Sequence, residues 1–89
     1  PLLVYLPKKY QNWSQAPVGQ ANEQLVSLVD LVPSVLNMLG IEKPAYIQGQ
    51  AFLGQQPEAP REYIYLERSR ADDLFEMSRG ITDGRYLYV

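Results

Sequence analysis

Five consecutive apolar residues, Leu2–Leu6, stand between Pro1 and Pro7. An unbroken apolar run of that length predicts a short strand buried on both faces, as in the interior of a parallel sheet. Residues 8–24 then carry Gln, Asn, Ser, Pro and Gly with scattered apolar positions, the signature of a long surface loop. Tyr10 and Trp13 are expected to pin that loop by packing; stacking of their rings on a ligand is the alternative.

LVDLVPSVLNMLG, residues 28–40, is the one stretch with a helical period. A proline in a helix interior costs roughly 3 kcal/mol or more, so Pro33 has to sit in the first turn, where backbone N–H groups have no intrahelical partner. Asp30 as N-cap satisfies that condition and sets a carboxylate at the positive end of the helix dipole. The spacing predicts a helix over Leu31–Leu39 with Leu31, Val35 and Leu39 on one buried stripe, Val32 and Leu36 beside it, and Ser34 and Asn37 facing away. Gly40 is expected to end it in a left-handed conformation.

Residues 41–61 have prolines, glycines and no sustained period, predicting a long loop. EYIYLE alternates Tyr63 and Tyr65 against Ile64 and Leu66 and predicts a strand. RSRADDLFEMSRG is dense in charge, with Phe75 and Met77 as expected anchors. ITDGRYLYV places Asp83-Gly84 between two strand-like runs, the signal of a two-residue hairpin turn. The sum is an α/β chain of one core strand, one helix, one strand and a C-terminal hairpin. Elements so few cannot cover a sheet buried on both faces, and both PLLVYLP and GRYLYV read as core strands, so the chain reads as a single partial domain spanning residues 1–89.

Composition narrows the chemistry. The 89 residues include no cysteine and no histidine, which removes disulfides, thiolate metal sites and the commonest general base and transition-metal ligand. A net charge of −2, with no basic block longer than Lys8-Lys9, argues against nucleic-acid binding. No apolar stretch approaches the roughly 20 residues of a membrane span.

The succession PLLVYLPKKY, EQLVSLVDLVPSVLNMLGI, IQGQAFLG and PREYIYLERSRADDLFEMSRGITDGRYLYV resembles the later part of the catalytic domain of the sulfatase family. There a strand ending in proline and a basic residue precedes a segment of the type VSxVDLxPTLLxLAGI, a Q-G-x-x-x-L element and a strand beginning P-R-E-Y-V-Y. Within the family the order looks most like bacterial N-sulfoglucosamine sulfohydrolase or heparan-type enzymes. The resemblance implies a portion of an alkaline-phosphatase-like α/β sandwich that hydrolyses sulfate esters or sulfamates of sulfated sugars, with a periplasmic or secreted parent. It also implies a formylglycine nucleophile, made from a C/S-x-P-x-R motif, and a calcium ion. This chain has neither that motif nor the family's calcium ligands, so both are expected upstream, the missing N-terminal part is the expected partner, and these 89 residues alone are expected to be inactive. A stand-alone α+β binding module of sulfatase ancestry is the alternative. A phosphatase or phosphoglycerate-mutase relative is a third reading.

One segment carries candidate substrate contacts. Arg68, Arg70 and Asp72 match the R-x-R-x-D of similar family members; Arg offers a bidentate fork to sulfate, and Asp accepts from sugar hydroxyls. A surface ion-pair cluster of Glu67, Arg68, Arg70, Asp72 and Asp73 is the other reading. Asp72-Asp73 reads as a solvated acid pair rather than a metal site. Lys8 and Lys9 fall at the family's basic position after the first strand, with a solvated loop end as the other reading. Strand edges flanking PLLVYLP and RYLYV are expected to favour self-association.

Overall fold

The computed structural model describes residues 1–70, 73 and 75–89. They form two compact units, one made of Pro1–Asn22 with Ser27–Ala59, the other of Glu23–Val26 with Pro60–Val89. Regular structure is sparse: a small mixed α/β chain with one short helix, α1 (Leu31–Met38), and a three-stranded antiparallel sheet of β1 (Ile64–Arg68), β2 (Ser78–Thr82) and β3 (Leu87–Tyr88).

In the first unit Asp30 is the N-cap of α1, as expected, but its side chain makes no capping bond to the helix. A 3₁₀ turn over Leu28–Asp30, with Ser27 as its own N-cap, leads into α1, and Ser27 and Asp30 form a capping box. The Ser27 N–H donates to Asp30 Oδ2 at 2.8 Å. Pro33 lies in the first turn of α1, as its chemistry requires, and Gly40 ends the helix at φ 71°.

The larger correction concerns which side of α1 faces inward. Asp30 is 2% exposed and Ser34 1%, whereas Leu31, Val32, Val35 and Leu39 are all exposed, Leu39 at 67%. Asp30, Ser34 and Asn37 recur at i, i+4 and i+7, which sets them on one face. That polar face binds the backbone of the long loop. Gln50 N–H donates to Asp30 Oδ1 at 2.9 Å and Phe52 N–H to Ser34 Oγ at 3.0 Å. Ser34 Oγ in turn donates to the Asp30 carbonyl at 2.7 Å. Asn37 Nδ2 donates to the Leu53 carbonyl at 3.0 Å, and its Oδ1 accepts from Gln56 N–H at 3.3 Å.

A loop without ladder hydrogen bonds must find partners for its buried amides, and short polar side chains on a neighbouring helix supply them. Ala51, Phe52 and Leu53 are thereby buried without any regular structure of their own. Gly49 completes the fit. A Cβ there would collide with the Val29 carbonyl and lie 3.0 Å from Pro33 Cγ, so only glycine lets the loop approach this closely. Val29 is four residues before Pro33, which has no N–H to offer its carbonyl.

Two other segments of this unit depart from the sequence reading. Leu2–Leu6 form no strand, and Leu3 is 96% exposed. A strand exists only as part of a ladder, and the described strands pair only with one another. The expected parallel-sheet interior is therefore absent among the described residues. Residues 8–13 of the expected loop form a 3₁₀ helix, Lys8–Trp13. With three residues per turn, positions i and i+3 eclipse, and the Tyr10 and Trp13 rings indeed stack with centroids 4.4 Å apart. Gly54 N–H donates to the Trp13 carbonyl at 3.0 Å, tying this turn to the loop.

The second unit is built on the sheet. β1 and β2 pair antiparallel from Ile64↔Thr82 to Arg68↔Ser78, and β2 pairs β3 through Ile81↔Tyr88 and Thr82↔Leu87. The expected hairpin forms, with its turn shifted by one residue. Asp83 N–H donates to the Tyr86 carbonyl at 3.4 Å, so the two central residues are Gly84-Arg85 and not Asp83-Gly84. Gly84 has φ 88° and no non-glycine residue has positive φ, which fits a II′-type turn with glycine at its first central position. Asp83 Oδ1 accepts from Arg85 N–H at 2.9 Å and Tyr86 N–H at 2.7 Å. Phe75 and Met77 are exposed rather than anchoring, and their segment is tied to β1 by the Arg68–Glu76 ion pair instead.

Two outcomes follow. Gly49→Ala should destabilise the chain by about 2–3 kcal/mol in urea unfolding, because helix or loop must shift to admit the methyl group; an unchanged midpoint would contradict the close approach. The Tyr86 and Arg85 amides hold the Asp83 carboxyl below its ordinary pKa. A depressed folded pKa means that the turn gains stability above the unfolded value, about 3.9, and loses it as pH falls through the lower folded value. An NMR titration of the Asp83 carboxyl should therefore give a midpoint under 3.9, with Arg85 and Tyr86 amide shifts moving at the same pH.

Candidate functional site

Arg68 closes β1 and pairs in register with Ser78. Strand alternation puts it on the Ile64 and Leu66 side of the sheet. Its guanidinium stands 3.5 Å from Glu76, with both side chains about half exposed. Glu67, on the opposite side, meets Arg79 at 3.1 Å directly across the ladder. Arg70 lies two residues beyond the strand and is exposed. Asp73 is also exposed, and Asp72 lies outside the described residues. Of the three sequence candidates, the structure thus locates Arg68 at a strand end and Arg70 in the irregular segment after it. The ion pairs on the strand join Glu67 and Arg68 to Arg79 and Glu76, partners that the ERSRADD reading did not include.

A second polar constellation was not anticipated as such. Lys43 Nζ donates to the Gly49 carbonyl at 2.8 Å and to Glu58 Oε1 at 2.9 Å. Glu58 Oε2 accepts from Ala51 N–H at 2.7 Å. Beside this pair opens a cleft of about 580 Å³, lined among others by Asn37, Lys43, Gln56 and Glu58. The Asn37, Lys43 and Glu58 side chains on its wall are engaged with loop backbone and form a brace. The same holds for Asp30, whose two carboxylate oxygens accept from Ser27 and Gln50. The signal that could have revealed the brace is the Asp30, Ser34, Asn37 spacing, three short hydrogen-bonding side chains on one helix face.

The calcium and formylglycine implied by the family resemblance do not fit the residues present. Among the described residues no group of three or more His, Cys, Asp or Glu could hold a metal ion. No C/S-x-P-x-R motif occurs in the sequence. The described helix is far too short to cross a membrane.

Comparison with known proteins gives the class. No protein-family model matches the chain, and no solved structure does. Along its whole length, however, the chain is similar to a curated sulfatase. That protein is the "Ulvan-active sulfatase" of Formosa agariphila, 34% identical over 89 residues. The match takes in 100% of this chain and 14% of the sulfatase, so the chain spans about one seventh of its relative's length.

Proposed function

We propose that these 89 residues are the later part of a sulfatase catalytic domain: one partial domain of an alkaline-phosphatase-like sandwich, in an enzyme that hydrolyses sulfate esters or sulfamates of sulfated sugars. The observation that carries the proposal is the 34% identity sustained over all 89 residues. The relative's activity on ulvan directs the substrate class to sulfated polysaccharides. In the proposed enzyme the nucleophile and calcium site belong to the upstream part of the domain, and the parent acts in the periplasm or outside the cell. Arg68, Arg70 and Asp72 contact the sulfated sugar at the domain edge, where a guanidinium grips sulfate through two N–H donors.

The surfaces of the chain support this reading. Leu31, Val32, Val35 and Leu39 expose one side of α1, and Leu2–Val4 are exposed without a strand partner. Burying one such side chain is worth about 1.5–3 kcal/mol, so a larger body that covers this side gains substantially. In the isolated chain the same residues, with β1 and β3 as open sheet edges, favour self-association.

The 89-residue chain should release no sulfate from aryl sulfates or sulfated glucosamine, and sustained turnover would contradict the proposal. In the sulfatase that contains the segment, Arg68→Ala and Arg70→Ala should each lower kcat/KM by about tenfold to a hundredfold, the range expected for a lost hydrogen bond to a charged group. Unchanged kcat/KM in both variants would remove these residues from the substrate pocket.

A further inference from the structure

Asp83-Gly84 is the one place in the sequence where Asp or Asn stands before Gly. That dipeptide has a chemistry of its own. The amide nitrogen of the following residue can attack the aspartyl carboxyl carbon, and a glycine, with no Cβ, leaves that nitrogen least hindered. The C–N bond forms, the amide hydrogen and the carboxyl hydroxyl leave as water, and a five-membered succinimide results. Water then reopens the ring at either carbonyl. One opening returns Asp, and the other gives isoaspartate, whose main chain runs through the former side-chain carboxyl. Water is the only co-reactant, and both residues are exposed.

In the formed hairpin both reacting groups are already engaged. The Gly84 N–H, whose nitrogen is the nucleophile, donates to Thr82 Oγ1 at 3.0 Å. Thr82 Oγ1 is itself oriented, because it donates to the Tyr86 carbonyl at 2.8 Å. The electrophile is held as well: Asp83 Oδ1 accepts from the Arg85 and Tyr86 N–H groups at 2.9 and 2.7 Å. Hydrogen bonds to a carboxylate favour its charged form, which is a poor target for a nucleophile. A Cβ built on Gly84 would lie 3.2 Å from Leu25 Cδ2, so a side chain also packs against the turn backbone.

We propose that Asp83 is an isoaspartate-forming modification site gated by its own turn: the reaction runs from the opened hairpin, and the hydrogen bonds of Thr82 to Gly84 and of Asp83 to Arg85 and Tyr86 set its rate. The product has a structural consequence. Isoaspartate puts one additional methylene into the main chain between β2 and β3. Those strands are joined through two residue pairs, Ile81↔Tyr88 and Thr82↔Leu87, and the turn fixes their register. A longer turn backbone therefore frees β3 from the sheet. The site concerns the hairpin alone and stands apart from the sulfatase reading.

The test is to incubate the 89-residue chain at neutral pH, in buffer and in urea, and to measure isoaspartate at position 83 over time by peptide mapping and mass spectrometry. Tyr86 amide exchange in the same samples reports whether the turn is formed. The chain in buffer should form isoaspartate about tenfold more slowly than the chain in urea, the factor that one or two turn hydrogen bonds supply. Thr82→Val keeps the β-branched shape and removes the hydroxyl. It should raise the rate in buffer about threefold, with a parallel rise in Tyr86 exchange, and leave the rate in urea unchanged. As isoaspartate accumulates in buffer, the Leu87 and Tyr88 amide resonances should move toward those of the unfolded chain. Absence of isoaspartate at position 83 in urea, equal rates in buffer and urea, an unprotected Tyr86 amide in buffer, or a Thr82→Val rate in buffer equal to that of the unsubstituted chain would each overturn the proposal.

Discussion

The fold of the first unit depends on one arrangement: two side chains of one helix face, Asp30 and Ser34, accept the amides of Gln50 and Phe52. Both side chains are almost fully buried, so the alternative to these bonds is not hydration but unsatisfied polar groups, at roughly 1–3 kcal/mol each. The loop accordingly follows the helix with no strand or helix of its own. Lys43 and Glu58 brace the same backbone at Gly49 and Ala51. Gly49 removes the one side chain that would keep the two segments apart.

That arrangement determines what the molecule presents outward. With the polar stripe of α1 turned in, its apolar stripe is turned out, opposite to the usual order for a helix on its own core. Large apolar patches on an exposed surface mark contact sites, and under the proposed function the rest of a sulfatase domain is what covers this one. The catalytic-looking carboxylate of the chain, Asp30, is on this reading a connector between helix and loop.

Local chemistry was legible in the sequence wherever it needed no distant partner. Pro33 and Gly40 fall at a helix start and stop, EYIYLE contains a strand, and Gly84 makes a hairpin turn. The failures share one cause. Leu2–Leu6 has strand composition, but a ladder needs a second segment, and none among the described residues pairs with it. The inward side of α1 was misjudged because hydrophobic periodicity says which residues share a face, while the choice between faces rests on Gln50 and Phe52, some 20 and 18 residues away. The turn slipped by one residue because Asp83 bonds to Tyr86 rather than occupying a central position. Arg68 closes β1 one residue beyond the EYIYLE segment, and its Glu76 partner lies eight positions on, beyond any local motif.

Amide hydrogen exchange across residues 49–56 tests the central claim most directly. Gln50 and Phe52 should exchange slowly although they lie in no regular element, Ser34→Ala should release Phe52, and Asp30→Ala should release Gln50 together with Ser27. Exchange of Gln50 and Phe52 at the rate of an open loop in the unsubstituted chain, with no further change in either variant, would contradict an account in which the polar face of α1 holds the loop.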